Sequence, residues 1–346
     1  MKKILAVAAM AAMVAGAAFA ADVGAQVQLD GDLFNVDTDG KVKGIMLKEY
    51  DPSGDSDYVW KMTASGDNFG AEVWSWSIVP EKCDITSKKI WVQPLDFLKV
   101  TVGNVGGQSI AFPNFGWWAQ TIQNYSYGYQ ADLTFGDLSA TIALEPGAGS
   151  YWIDPTKTNL IGGKIGGTWL AVKYGLGDWG TVQAIAAINA VVGAHGFSNW
   201  STTPLSFAVA YNHMPYGQTG FYADAAVGFK YNADGKLAFQ GVDAQIGGQF
   251  VAGAIKVMET NLIQYRDAFK FGFEARAEYS LGSITPYINI DCYDVLTKDY
   301  NKMIVDLGVS TSVGSVSMYA AVQIPVQFTD SYKFSLSVPC QFSVMF

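Results

Sequence analysis

Charge is scarce in this chain. Of its 346 residues only 15% are charged, against about a quarter in an ordinary soluble protein. Histidine occurs twice, as His195 and His213, and cysteine three times, as Cys83, Cys292 and Cys340. Three cysteines cannot all pair within one chain, and none stands in a C-x-x-C pair. A disulfide framework and a thiolate metal centre are therefore excluded, although an exported chain has room for one disulfide. The two histidines lie in turn-like segments and share no metal-ligand spacing. No G-x-S-x-G, H-E-x-x-H or P-loop sequence occurs. Gly175-Leu176-Gly177-Asp178-Trp179-Gly180 fits G-x-G-x-x-G, but residues 181–192 alternate like a strand instead of opening a helix, so the match reads as a Gly-rich turn. These absences argue against an enzyme and predict neither cofactor nor bound metal. Long apolar runs are also missing. Beyond residue 20 the nearest, Val182–Val192, is too short and too alternating to cross a bilayer as a helix.

The first twenty residues are different. Met1-Lys2-Lys3 is a short cationic start, Ile4 to Ala17 an apolar Ala-rich stretch, and Ala18-Phe19-Ala20 a small-x-small cleavage site. This is the pattern of a secretory signal peptide over residues 1–20, with Ala18 and Ala20 at the cleavage site and one mature domain over 21–346. No cysteine follows the site, which excludes a lipid anchor there. The net charge is −9, and removing Lys2 and Lys3 makes it −11. An acidic balance of this size excludes nucleic acid as a partner.

What the chain does have is aromatics, at 14%, and period-two alternation. Its last fifteen residues show it best. Tyr332, Phe334, Leu336, Val338, Cys340, Phe342, Val344 and Phe346 take every second position, with mostly polar residues between. Successive strand residues face opposite ways, so one face is apolar and the other polar. A chain ending on a wholly apolar strand face suits a barrel in a membrane, with lipid on one side and a lumen on the other. The same alternation recurs in Val23–Asp30, Tyr125–Phe135, Phe221–Tyr231, Phe269–Tyr279 and Val316–Ile324. Each run is about the ten residues a tilted strand needs to cross hydrocarbon. Only helices and closed barrels satisfy the backbone there, and the mean hydropathy of +0.15 fits chains whose strands are half apolar.

Tight connectors such as Gly136-Asp137, Asn232-Ala233-Asp234-Gly235, Leu281-Gly282-Ser283 and Val313-Gly314-Ser315 carry the residues hairpin turns need. Longer irregular pieces separate other strands. The expected fold is all-β: a transmembrane antiparallel up-and-down barrel with short turns on one side and loops on the other. About nineteen segments qualify as strands, but a barrel with both termini on one side needs an even number, so about eighteen is the expected count and sixteen the next. The period is weakest over Val42–Ala64, and its parity slips near Gly241, as at a bulge or an extra turn.

A barrel of that width leaves room for water. Inward candidates are Asp132, Lys164, Asp224, Lys230, Lys270, Glu274, Arg276, Glu278 and Asp306. Lys270, Glu274, Arg276 and Glu278 share one face of one strand, where they either set up a field that sorts solutes or brace the wall as ion pairs. The segment Val105–Asn124 is rich in aromatics without a strand period. Its Gln108, Phe112, Asn114, Phe115, Trp117 and Trp118 either fold into the lumen as a constriction or pack at the rim as an aromatic belt does.

The N-terminal signal, the alternating strands and the terminal aromatic strand together resemble Gram-negative outer-membrane porins, as does KIWVQPLDFLKVTVGN over Lys89–Asn104. The resemblance implies a barrel embedded in outer-membrane lipid and assembled by the barrel-insertion machinery, which reads the last strand through Phe342, Val344 and Phe346. It implies passive diffusion of small hydrophilic solutes and ions, and often a homotrimer. The chain lacks a dense arginine ladder, which argues against a phosphate-type pore. The competing reading is a structural or adhesive barrel with a plugged lumen and partner-binding loops.

Overall fold

A strand in a membrane needs a hydrogen-bonded neighbour on each edge, and the strands of this protein find them by closing into a ring. The computed structural model describes residues 22–37, 39–43, 46–48, 60–75, 87–106, 125–144, 167–188, 205–214, 217–266, 268–293, 295, 302–327 and 333–345. Ala18, Ala20, Cys83, the aromatic segment with Gln108, Phe112, Asn114, Phe115, Trp117 and Trp118, Lys164, His195 and Phe346 lie outside them.

Strands β1 (Asp22–Val36), β2 (Val42–Lys43), β3 (Met46–Lys48), β4 (Trp60–Gly66), β5 (Phe69–Ser75), β6 (Ser87–Leu95) and β7 (Leu98–Gly106) open the chain. Next come β8 (Tyr125–Phe135), β9 (Leu138–Leu144), β10 (Thr168–Gly175), β11 (Thr181–Ile188), β12 (Leu205–His213), β13 (Gly220–Tyr231) and β14 (Leu237–Ala252). The last are β15 (Ile255–Tyr265), β16 (Phe269–Tyr279), β17 (Ile284–Tyr293), β18 (Lys302–Val313), β19 (Val316–Gln327), β20 (Lys333–Phe334) and β21 (Leu336–Met345). From β4 to β19 each pairs antiparallel with the next, and β21 closes on β1. The segments β2, β3 and β4 all lie along one edge of β1 and form one barrel strand; β20 and β21 form another. The result is a closed barrel of eighteen strands. Among the described residues the sole helix is the 3-10 turn Gly177–Trp179.

The weak period over Val42–Ala64 has a geometric cause. Asp30 faces Lys48, whereas Val27, three residues earlier, faces Trp60, twelve residues later, so nine residues more than the ladder needs intervene. The parity slip near Gly241 is a bulge within one continuous strand: Gly228 faces Gly241 and Phe229 faces Phe239, which leaves Gln240 over. Further register shifts occur at Leu33 of β1 and at Gln93-Pro94 of β6. Proline has no N–H for a ladder, which suits it to such a position.

The described turns between β4 and β5, β6 and β7, β8 and β9, β14 and β15, and β18 and β19 are two residues long and share the rim where β1 begins and β21 ends. Gly136 takes φ +59° in one of them, a value a hairpin of this size demands. The Gly-rich motif is such a turn: the Leu176 and Gly180 backbones bond each other across it, with Gly180 at φ +88° beneath the β12 backbone at Asn212. Asn232–Gly235 is a tight turn at the opposite rim. Strand order decides this, since each additional strand reverses the chain. His213 is not in a turn but ends β12, its ring edge-on to Phe221 at 6.3 Å.

Alternation sorts the two faces. Outward positions are apolar and exposed, as in Ile90, Val102, Tyr129, Val209 and Leu307. Aromatic pairs mark both rims: Phe97 stacks on Phe135 at 5.4 Å at one, Phe239 on Tyr265 at 6.4 Å at the other. Such girdles border the hydrocarbon band of membrane barrels. Val344 in β21 joins this outer face between Val27 and Val316.

Candidate functional site: the inner wall

The inward face divides into three arcs. The first spans β4 to β8 and is basic. Glu72 of β5 faces Lys89 of β6 directly and lies one diagonal step from Lys61 of β4. Its two carboxylate oxygens take one lysine each, Lys61 Nζ at 2.9 Å and Lys89 Nζ at 3.0 Å. Lys99 of β7 sits over the Trp91 ring at 4.9 Å, and that ring covers Gly70 on the neighbouring strand. Asp132 of β8 faces Lys99 in register, and its Oδ1 accepts from Thr141 Oγ1 at 2.7 Å and Gln130 Nε2 at 2.8 Å.

The second arc, β9 to β12, holds a packed apolar cluster among buried polar residues such as Thr141, Gln183 and Ser206. Ala143, Trp169, Ala171, Ile185, Ala187, Ala208 and Ala210 take its inward positions and are buried, with Met214 against them. The composition of the other strands predicts a water-lined interior all round, and this arc departs from it. In β9 to β12 the inward phase mixes Thr141, Gln183 and Ser206 with alanine, isoleucine and tryptophan, so alternation in hydrophobicity marks it less sharply than in the other strands.

The third arc, β13 to β18, is acidic. Tyr222 lies across Gly247 of β14 and hydrogen-bonds Thr260 of β15, while Gln245 Nε2 donates to its hydroxyl at 3.4 Å. A glycine facing the ring is what lets it lie flat. Asp224 is buried at 5% exposure, and neither of its carboxylate oxygens has a hydrogen-bond partner among the described residues. Asp243 is fully buried and pairs with Arg266 at 3.7 Å. Glu274 of β16 and Asp291 of β17 are direct cross-strand neighbours, both buried. Asn289 Nδ2 donates to Asp291 at 2.9 Å and faces Asp306 of β18. Arg276 spans two contacts, its Nε 2.7 Å from Glu278 and its guanidinium 3.9 Å over the Tyr287 ring, which in turn covers Gly308. Lys256 reaches Glu278 at 3.6 Å.

Of the residues singled out from the sequence, the structure gathers Asp224, Glu274, Arg276, Glu278 and Asp306 in the acidic arc. Lys270 stands on the same inward phase of β16, Asp132 lies in the first arc, and Lys230 is exposed near the rim of β13 opposite the chain ends. Sequence reasoning missed Lys61, Glu72, Lys89 and Lys99, and on the acidic side Asp243, Arg266, Tyr287 and Asp291. A usable signal exists for several: each of Glu72, Asp243 and Asp291 stands between two apolar residues in the polar phase of its strand. On the ring of eighteen strands β6 and β15 stand nine apart either way, so the basic and acidic arcs oppose each other.

An antiparallel closed barrel with apolar flanks, tight turns at one rim and charge on its inner face is a porin-type barrel. Among solved structures the chain is similar to the outer membrane protein OpdK from Pseudomonas aeruginosa, with a TM-score of 0.53 at 6% identity over 94% of this chain and 99% of that one. It is also similar to OpdQ of the same organism, with a TM-score of 0.54 at 7% identity over 94% and 98% of the two chains, and to OccAB2 of Acinetobacter baumannii, with 0.52 at 8% over 94% and 98%. Identities this low establish the fold alone. No protein-family model matches the sequence, and no curated protein does.

Proposed function

We propose that this chain is an outer-membrane porin through which small hydrophilic solutes and ions diffuse. In this reading residues 1–20 direct export and are removed, the last strand through Phe346 engages the insertion machinery, and the barrel spans the outer membrane, as three copies in the arrangement the resemblance implies. The observation that carries it is the sorting of charge: the Lys61–Glu72–Lys89 group and the facing Asp243, Glu274, Asp291 and Asp306 all stand on the inner wall. With Asp132, Asp224, Lys230, Lys270, Arg276 and Glu278 they line the path, Lys164 is a further candidate, and the segment with Gln108, Phe112, Asn114, Phe115, Trp117 and Trp118 serves as the constriction.

Purified protein in planar bilayers is expected to give stepwise conductance. Neutralising Glu274 and Glu278 to Gln is expected to shift the reversal potential toward anions. One observation favours the plugged, partner-binding barrel instead: the apolar cluster of the second arc is buried, with Ala143 and Ala187 at 0% exposure, as in a filled interior. Electrical silence of correctly folded protein selects that alternative.

A further inference from the structure

Glu259 is out of place. Among the strand residues whose side chains are described, every other acidic residue, from Glu72 to Asp306, stands on the inward phase. Glu259 takes the outward phase of β15, shared with the exposed Val257 and Tyr265. It is the fifth of eleven residues in that strand, about midway between the rims. Its side chain is exposed, and Asn261 Nδ2, on the same face, donates to its Oε1 at 2.6 Å. That bond uses one carboxylate oxygen and one amide proton. Among the described residues Glu259 Oε2 and the Asn261 carbonyl accept nothing further. A carboxylate and an amide in the middle of a lipid-facing band are costly, and such groups in membranes turn toward protein or water.

The surroundings suit protein. Glu259 is flanked in register by two small residues, Gly248 of β14 and Ala275 of β16, with Ile246, Phe250 and Phe273 one diagonal step away on the same face, so a gap in an otherwise bulky surface lies directly beside the carboxylate. Small residues around a polar centre are the composition of contacts between membrane segments. The other charged outward strand residue with a described side chain, Lys88 of β6, lies nine strands away across the barrel and one residue from its strand end, so no described strand residue of the same molecule supplies a counter-charge. The pair is instead complementary to itself, one side offering an acceptor and the other a donor.

We infer that the β14–β16 outer face is the contact between copies of this chain, each turning Glu259 and Asn261 toward a symmetry axis so that the Asn261 amide of one copy donates to the Glu259 carboxylate of the next. The inference rests on the membrane-barrel reading proposed above. It is tested by single-molecule mass measurement of the full mature chain in nanodiscs. The wild type is expected at a multiple of the single-chain mass, Glu259→Leu at the mass of one chain, and the exchange Glu259→Asn with Asn261→Glu back at the multiple. A single-chain wild type, a Glu259→Leu variant that keeps the multiple, an exchange variant left at one chain, or a wild type whose added mass is a different polypeptide each overturns it. Conductance of the same samples reads the porin proposal separately: a silent wild type at the multiple mass refutes the porin alone, and a conducting single-chain wild type refutes the contact alone.

Discussion

The seating of Tyr287 on Gly308 gives a prediction whose sign depends on the background. A Cβ at position 308 would collide with Tyr287, and the three nearest atoms it meets all belong to that ring. Gly308→Ala therefore has to lift the ring off the wall, and with it the Arg276 guanidinium stacked at 3.9 Å. A cation–π contact in a partly desolvated place contributes about 1–2 kcal/mol, and an aromatic cross-strand pair about 0.2–1 kcal/mol. The expected destabilisation is thus roughly 1–3 kcal/mol. With Tyr287→Ala already in place the collision is gone. Glycine inside a strand then costs roughly 0.5–1 kcal/mol relative to alanine, so the same Gly308→Ala change is expected to stabilise by about that amount. Urea unfolding of the four proteins of this cycle in lipid vesicles, followed by tryptophan fluorescence, measures both values. Equal effects of Gly308→Ala in the two backgrounds would refute the idea that the glycine exists to seat the tyrosine.

Three further outcomes are expected. Glu72→Gln releases two lysines toward the lumen. Because both lysines are about a third exposed, each lost pair costs only about 0–1 kcal/mol, while bilayer recordings are expected to show a reversal potential moved toward anion preference. Tyr222→Phe removes the hydroxyl bonded to Thr260 and Gln245 inside a fully buried site. A loss of about 1–3 kcal/mol is expected in the same unfolding assay, since Thr260 is left with an unmet polar group. Gly180→Ala forces a side chain onto φ +88° and against the Asn212 backbone, and is expected to cost more than about 1 kcal/mol, against almost nothing for Trp179→Ala in the same turn.

The barrel was legible in the sequence because a lipid-facing surface and an inner wall impose opposite chemistry on alternate residues. Phe221 to Tyr231 and Phe269 to Tyr279 alternate without a break. The parity slip beside Gly241 was legible for the same reason, since an extra residue moves the apolar phase by one, and the register identifies it as a bulge and not an extra turn. Three features were not. The packed cluster through Ala171, Ile185 and Ala208 puts apolar residues on the inward phase as well, and alanine and isoleucine suit either face. The opposition of Glu72 and its lysines to Glu274 and Asp291 depends on closure of the ring, which brings together residues two hundred positions apart. The split strand formed by β2, β3 and β4 hides its register in an insertion that no local pattern measures.

The ladder between β1 and β21 is as continuous as any other in the ring, broken only at Leu33. The join between the two ends of the polypeptide is therefore a hidden seam. Fusing Met345 toward Asp22 through a short linker and opening the chain at Asp67-Asn68, on the same rim, would leave the closed cylinder unchanged while removing the free strand end that the proposed reading gives to the insertion machinery. Such a permutant would separate the cylinder's own ability to fold from its delivery to the membrane.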